Sequence, residues 1–403
     1  MTNTDLKSKM ERYFQRMIHV NAEALAMETA NPLLSTLQVQ VGQKFNAHMA
    51  KVQSAFPIFL PDGFEQTSSA LLQAHGNDLA MNEWFFSNFT PTWGYYLGRL
   101  KMMSSAKAIW ELALQITNDA EKKSSRIHKG TPYYFYSVTC ILGGELEKGF
   151  LLMHAAMEED KTTFGANYTT APANAFVTLD YQKIDQWFHD EVKDLAEFLD
   201  SAIQEYNKRH ATTSLQLDEF KRKFLQRGGD MQDVVFYFVY TLSRMKYIAS
   251  NVEDPLTKTD FGSLAELQIL FDLCQVLDCT IAELHSLQRN AKGDSYGLKE
   301  RIQLLSGKVP SLGLDGNKLG QVNRYFNRDM STALDDLVKG TFRFKGNVSP
   351  IRPTPIQEDF AISYGLRNSA AHNIKHSKVV YANYRTICSR VLNTIFYTVV
   401  NAK

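Results

Sequence analysis

The sequence has few cysteines and no long apolar segment. It holds four cysteines in 403 residues and no Cys-x-x-Cys pair, a density too low for a disulfide scaffold and typical of buried thiols in a reducing compartment. The first twelve residues are polar and charged, and no uninterrupted apolar run reaches the roughly 20 residues that a membrane-spanning helix needs. These absences predict a cytoplasmic protein with no membrane partner.

The common cofactor motifs are also missing. Residues 306–309 and 313–320 contain glycine and lysine, but not in the G-x-x-x-x-G-K-[ST] order that cradles a phosphate. There is no G-x-G-x-x-G dinucleotide fingerprint. The sequence therefore predicts no cofactor.

What the chain does have is a large supply of core-forming residues at helical spacing. Hydrophobic residues make up 44% and aromatic residues 12% of the chain, enough for a sizeable core and for two domains. We find no convincing β alternation in the second half and predict an all-α protein. Residues 1–210 are predicted to form a helical, partly repeat-like region, and residues 211–403 a helical bundle, with a boundary near residue 253 as the alternative.

Two stretches stand out in the first region. Helices at Tyr133–Leu142 and Glu145–Glu159, separated by Gly143-Gly144, resemble one tetratricopeptide hairpin, although Gly149 stands where alanine is usual. The run from Asn82 to Leu100 carries seven aromatic residues. Such a run can stack bases, but no basic residue interleaves it before Arg99, so we favour a core.

The most informative stretch is Thr354 to His372, which reads as one capped helix. Thr354 and Gln357 have the spacing of a capping box, and Pro355 fits the first helical position. Gly365 lies in the helix interior, where glycine costs about 1 kcal/mol relative to alanine. We therefore expect a helix or ligand to approach the backbone closely at Gly365.

This helix ends with Arg367, Asn368 and His372, a pattern that resembles the HEPN family (higher eukaryotes and prokaryotes nucleotide-binding). The resemblance covers the last third to half of the chain and implies a HEPN-like helical bundle. In ribonuclease members two protomers each contribute one motif to a shared RNA-cleaving site. The resemblance thus implies catalytic roles for Arg367, Asn368 and His372, a homodimer, and toxin or antiphage-defence activity released by a protein or small-molecule trigger in the N-terminal region.

Other interpretations of the same residues remain open. Arg367 could pair with Glu358, Asp359 or a distant carboxylate, and His372 could be a histidine favoured near a helix C-terminus. His372 and His376 have the spacing of metal ligands, but no clear third ligand follows, so we predict no metal site.

Charge is distributed unevenly along the chain. Residues 339–403 contain ten Lys or Arg and two acidic residues, net +8, which leaves 34 basic and 41 acidic residues, net −7, in the preceding 338. Such polarity predicts a local anion-facing surface. The candidate RNA-binding residues bracket the motif: Arg343, Lys345 and Arg352 before it, Lys375 and Lys378 after it. A solvated basic face is the alternative for any one of them.

The resemblance to the HEPN family implies two candidate functions. The first is a metal-independent endoribonuclease that cleaves RNA by attack of the ribose 2′-hydroxyl at a site shared by a dimer. The second is a non-catalytic protein whose HEPN-like half only dimerises or binds a nucleotide or RNA.

Overall fold

The computed structural model describes residues 3–29, 58–99, 102–211, 214–250, 260–289, 292–370 and 377–402. It is 77% helical, and these residues form no strand, only two isolated β-bridges. The all-α prediction is confirmed. Within the same ranges no helix combines the length and apolarity needed to cross a membrane.

The chain divides into two compact units. The N-terminal unit comprises residues 1–176 and 182–189, and the C-terminal unit residues 177–181 and 190–403. The described helices that begin in the N-terminal unit are α1 (Asn3–Thr29), α2 (Phe64–His75), α3 (Leu79–Ser87), α4 (Thr90–Arg99), α5 (Met103–Glu121), α6 (Gly130–Leu142), α7 (Leu146–Phe164), α8 (Pro172–Val177) and α9 (His189–Arg209). Short 3-10 helices cover Gly165–Thr170 and Tyr181–Lys183.

Helices α6 and α7 form the hairpin that the sequence predicted around Gly143-Gly144. Gly144 has a φ of 82°, a left-handed conformation that suits glycine at the turn. A Cβ on Gly149 would overlap the side chain of Ile141, and the Ser137 hydroxyl donates to the Gly149 carbonyl at 2.6 Å. Glycine thus replaces the usual alanine because the two helices approach closely here, while the repeat relationship itself stays a prediction.

The aromatic run on α3 and α4 supplies the core of the N-terminal unit. Its fully buried side chains are Phe85, Phe86, Phe89, Trp93 and Tyr96. Their rings pack edge to face, as aromatic pairs prefer: Phe85 lies 5.4 Å from Phe89, and Trp93 lies 6.3 Å from Trp110. The core interpretation of this run is confirmed.

A fourth tryptophan, Trp187, is held on the surface of the same unit. Its ring lies against α4, where a Cβ on Gly94 or Gly98 would be 3.1 or 2.8 Å from the nearest ring atom. Asp185 fixes the turn by accepting a hydrogen bond from the Trp187 backbone N–H at 3.0 Å. The indole remains 37% exposed and borders an open groove of about 820 Å³.

The C-terminal unit contains most of α9 and the helices that follow it in the described residues. These are α10 (Leu217–Phe220), which continues into a π-helical turn at Lys221–Leu225, α11 (Met231–Ser250), α12 (Asp260–Leu284), α13 (Leu298–Lys308), α14 (Gly316–Arg328), α15 (Met330–Lys339), α16 (Pro355–Ala370) and α17 (Ser377–Val400). The core is built where α12 and α16 pack on α17.

The division falls before α9, whereas the sequence placed it after this helix, at residue 210. The contacts at the end of α9 explain the difference. Tyr206 packs edge to face on Phe396 of α17 at 5.7 Å, and Arg209 and His210 bind Asp359 of α16. These partners lie about 150 to 190 residues further along the chain, so the sequence around residue 210 does not reveal them.

Candidate functional site

The candidate site lies at the end of α16, the helix that carries the motif. The predicted capping box is present: the Thr354 N–H donates to Gln357 Oε1 at 3.1 Å, and the Gln357 N–H donates to Thr354 Oγ1 at 3.4 Å. From residue 356 to residue 366 every side chain is buried. The helix is therefore a core element whose last turn reaches the surface.

Gly365 allows another helix to approach α16, as the sequence predicted. The neighbour is Phe326 of α14, and a Cβ on Gly365 would overlap its aromatic ring. Phe326 is itself buried. The close approach is thus a contact within one chain and fixes α16 against α14.

Arg367 lies one turn before the described end of the helix and is 43% exposed. Its Nη2 atom lies 3.9 Å from Oδ2 of Asp278 on α12, beyond hydrogen-bond distance. The guanidinium therefore forms a loose ion pair with Asp278. This is the distant carboxylate that the sequence analysis named as an alternative to Glu358 and Asp359.

Asn368 follows Arg367 and is half-buried. Burial raises the pKa of the Tyr364 phenol, and a hydrogen bond from the Asn368 side chain partly offsets this effect. The Asn368 amide is therefore held in place by the preceding turn of its own helix.

Asp278 also binds a second arginine, which sequence analysis missed. Arg301 of α13 donates from Nη1 to Asp278 Oδ1 at 2.6 Å and to the Asp278 carbonyl at 3.3 Å, and from Nε to the Leu287 carbonyl at 3.2 Å. Asp278 is 5% exposed. No local pattern links residues 278, 301 and 367, because only the packing of α12, α13 and α16 brings them together.

The carboxylates at the start of α16 have partners other than Arg367. Asp359 is fully buried and accepts from His210 Nε2 at 2.9 Å, Arg390 Nη1 at 2.7 Å and Asn393 Nδ2 at 2.8 Å. Arg209 donates to Glu358 Oε2 at 2.7 Å. Burial raises the pKa of Glu358, and Arg209 partly offsets this effect.

The candidate RNA-binding residues before the motif share one loop. Residues 344 and 351 exchange two backbone hydrogen bonds of 2.9 and 2.8 Å, and Arg343, Lys345 and Arg352 are exposed around this bridge. The loop leads into the first turn of α16, whereas Arg367 lies twelve residues along the helix, roughly 18 Å at 1.5 Å per residue. Within one chain these three residues therefore do not gather at Arg367.

The remaining candidates lie in or next to residues 371–376, which are not among the described residues. His372, Lys375 and His376 lie outside the described residues. Lys378 belongs to the first turn of α17, but its side chain is also outside them. Among the side chains that are described, no group of three or more His, Cys, Asp or Glu residues has the arrangement of a metal site.

Comparison with known proteins adds no relative. No family model, curated protein or solved structure matches this chain.

Proposed function

We propose that this chain is a metal-independent endoribonuclease of the HEPN type. The observation that carries the proposal is Arg367, whose 43% exposed guanidinium is held loosely at the end of a capped, buried helix, with Asn368 beside it and His372 five residues further on. A cation held in this way is available to an anionic ligand. The proposal includes a cytoplasmic location, a role in toxin or antiphage defence, and a trigger that acts on the N-terminal unit.

The three residues would divide the chemistry of RNA cleavage. His372 would accept the proton of the ribose 2′-hydroxyl as its oxygen bonds to the adjacent phosphorus, a role that suits an imidazole with an ordinary pKa near 6.5. The P–O5′ bond would break, leaving a 2′,3′-cyclic phosphate, and the departing 5′-oxygen would take a proton from water. Arg367 would neutralise the charge that develops on the phosphoryl oxygens. Asn368, oriented through Tyr364, would hold one of those oxygens.

The geometry of a helix favours a site shared by two chains. Residues five apart on an α-helix are separated by about 140° around its axis, so a straight extension of α16 would not direct Arg367 and His372 to one phosphate. The helix is described as far as Ala370, and His372 lies outside the described residues. A second copy of the chain would bring the complementary residue.

The first test is cleavage of mixed RNA by the purified protein in a chelator. We expect cleavage by the parent chain and a loss of at least 100-fold in His372→Ala, the usual minimum for a general base. His376→Ala is the matched control because it removes a histidine from the same short segment. Equal activity of His372→Ala and the parent would rule out the proposed chemistry.

The second test mixes two inactive variants, Arg367→Ala and His372→Ala. If one site takes arginine from one protomer and histidine from the other, some heterodimers hold one intact site and activity partly returns. If no activity returns after verified subunit exchange, either the site lies within one chain or all four residues are needed. A mixture of the parent with an excess of the double variant separates these cases. A site within one chain keeps activity in proportion to the parent chains, whereas a site that needs all four residues loses activity in the mixed dimers.

One observation favours the alternative, a non-catalytic interaction protein. Arg367 has a carboxylate partner in Asp278, and the Asn368 side chain is hydrogen-bonded to Tyr364, so both residues have structural roles available. This alternative expects binding of RNA without cleavage, and binding that survives Arg367→Ala and His372→Ala.

A further inference from the structure

The ion pair of Arg367 is longer than the short contacts that other described arginines make with carboxylates. Five arginines each have one contact of 2.5–2.7 Å: Arg126, Arg209, Arg244, Arg301 and Arg390. Arg367 approaches Asp278 only to 3.9 Å. The Asp278 carboxylate therefore attracts the Arg367 guanidinium without accepting a hydrogen bond from it.

Arg301, and not Arg367, makes the short bond to Asp278. It is also held in place by two backbone carbonyls. Because one arginine already neutralises the carboxylate, the three side chains together keep one positive charge, and Arg367 carries it at the surface. Without Arg301, Asp278 would neutralise Arg367 instead.

We infer that Asp278 is the positioning residue for Arg367, and that Arg301 keeps this arginine free to take a phosphodiester. The inference rests on the proposed function. Asp278 Oδ2 holds the guanidinium near one orientation through a contact weak enough to yield to a phosphate oxygen. Asp278 itself is 5% exposed and does not contact the substrate.

The test compares two double variants whose aspartates lie on the same helix, α12. Asp278→Asn with Arg301→Gln removes the positioning pair, and changing both partners avoids leaving one buried charge unpaired. Asp272→Asn with Arg244→Gln is the matched control, since it removes an equally buried pair with a 2.5 Å contact six residues earlier on α12. A purely structural role would affect both variants alike.

Kinetics supply the first readout. We expect the 278/301 variant to lose on the order of 10- to 100-fold in kcat, the usual effect of a misplaced catalytic group, with its KM for RNA within about twofold of the parent, because the site is misaligned and not removed. The 272/244 variant should keep kcat within about twofold. Equal kcat values for the two variants would overturn the inference.

The second readout does not depend on cleavage. In NMR spectra of the arginine side chains, the Nε–Hε group of Arg367 should be ordered in the parent and in the 272/244 variant and mobile in the 278/301 variant. Unchanged order in the 278/301 variant would overturn the positioning role even if its activity fell. If the parent does not cleave RNA, the proposed function fails while this readout still decides whether Asp278 orients Arg367.

Discussion

Replacement of Asp359 by asparagine tests which contacts stabilise the C-terminal unit. The Asp359 carboxylate is fully buried, and two arginines, a histidine and an amide converge on its two oxygens at 2.7–3.3 Å. Asparagine has almost the same shape, but it removes the charge and replaces one acceptor oxygen with a donor. The variant would therefore leave Arg390 buried beside an uncharged side chain and set two donors against each other.

The magnitude follows from these partners. Removal of one member of a buried ion pair costs about 3–5 kcal/mol, because the other charge stays buried. We expect Asp359→Asn to lower the free energy of unfolding of the C-terminal unit by that amount. For a unit of this size the melting temperature should fall by roughly 6–20 °C, at about 2–4 °C per kcal/mol.

The distribution of tryptophan makes the assay specific to one unit. All four tryptophans lie in the N-terminal unit, at positions 84, 93, 110 and 187. Far-UV circular dichroism should show a destabilised transition in Asp359→Asn, while tryptophan fluorescence reports the N-terminal unit. The control is Asp335→Asn, whose exposed pair with Lys339 should contribute little to stability. If the two variants have the same stability, the Asp359 contacts do not stabilise the unit in the way we argue.

Three further substitutions test other close contacts. Gly365→Ala puts a methyl group into the ring packed against α16 and should cost about 1–3 kcal/mol by circular dichroism despite the better helix propensity of alanine; unchanged stability would contradict the close approach. Gly98→Ala should displace the Trp187 ring and shift tryptophan emission to longer wavelength, and an unchanged spectrum would count against that packing. Burial lowers the pKa of His128 to about 4 and raises the pKa of Asp160 to about 7. Between about pH 4 and 6.5, His128 is protonated in the unfolded chain but not in the folded one, so rising pH stabilises the fold through His128. Asp160 is protonated in the folded chain but not in the unfolded one, so rising pH destabilises the fold through Asp160. Asp160→Asn removes the second effect, so its free energy of unfolding by urea should rise more steeply with pH over this range than that of the parent, by up to about 1.4 kcal/mol per pH unit.

Features encoded within one or two helical turns could be predicted from the sequence. The capping box of α16 needs only Thr354 and Gln357, three residues apart, and both of its bonds are present. The glycine pair at 143 and 144 marks a hairpin because the conformational demand is local. The need for glycine at position 365 could also be read from the sequence, although the partner Phe326 could not.

Charge pairing could not be predicted in the same way. Sequence analysis offered Glu358, Asp359 or a distant carboxylate as partners for Arg367, and proximity in sequence favoured none of them. Asp359 lies eight residues before Arg367, roughly 12 Å along the helix axis, and its actual partners come from α9 and α17. Such pairs depend on which helices pack together, and no single segment encodes that choice.

The contrast between Asp359 and Asp278 bears on the interpretation of the motif. Both are buried aspartates bound by arginine in the same unit, but every oxygen of Asp359 is saturated by donors, whereas Asp278 directs one oxygen at Arg367 from 3.9 Å. A purely structural arginine gains most when it closes to hydrogen-bond distance, as Arg126, Arg209, Arg244, Arg301 and Arg390 do. Arg367 does not close to that distance, and the short bond to Asp278 belongs to Arg301. A guanidinium that is oriented, exposed and not saturated is the arrangement that an incoming phosphate requires, and a second charge on an adjacent helix maintains it.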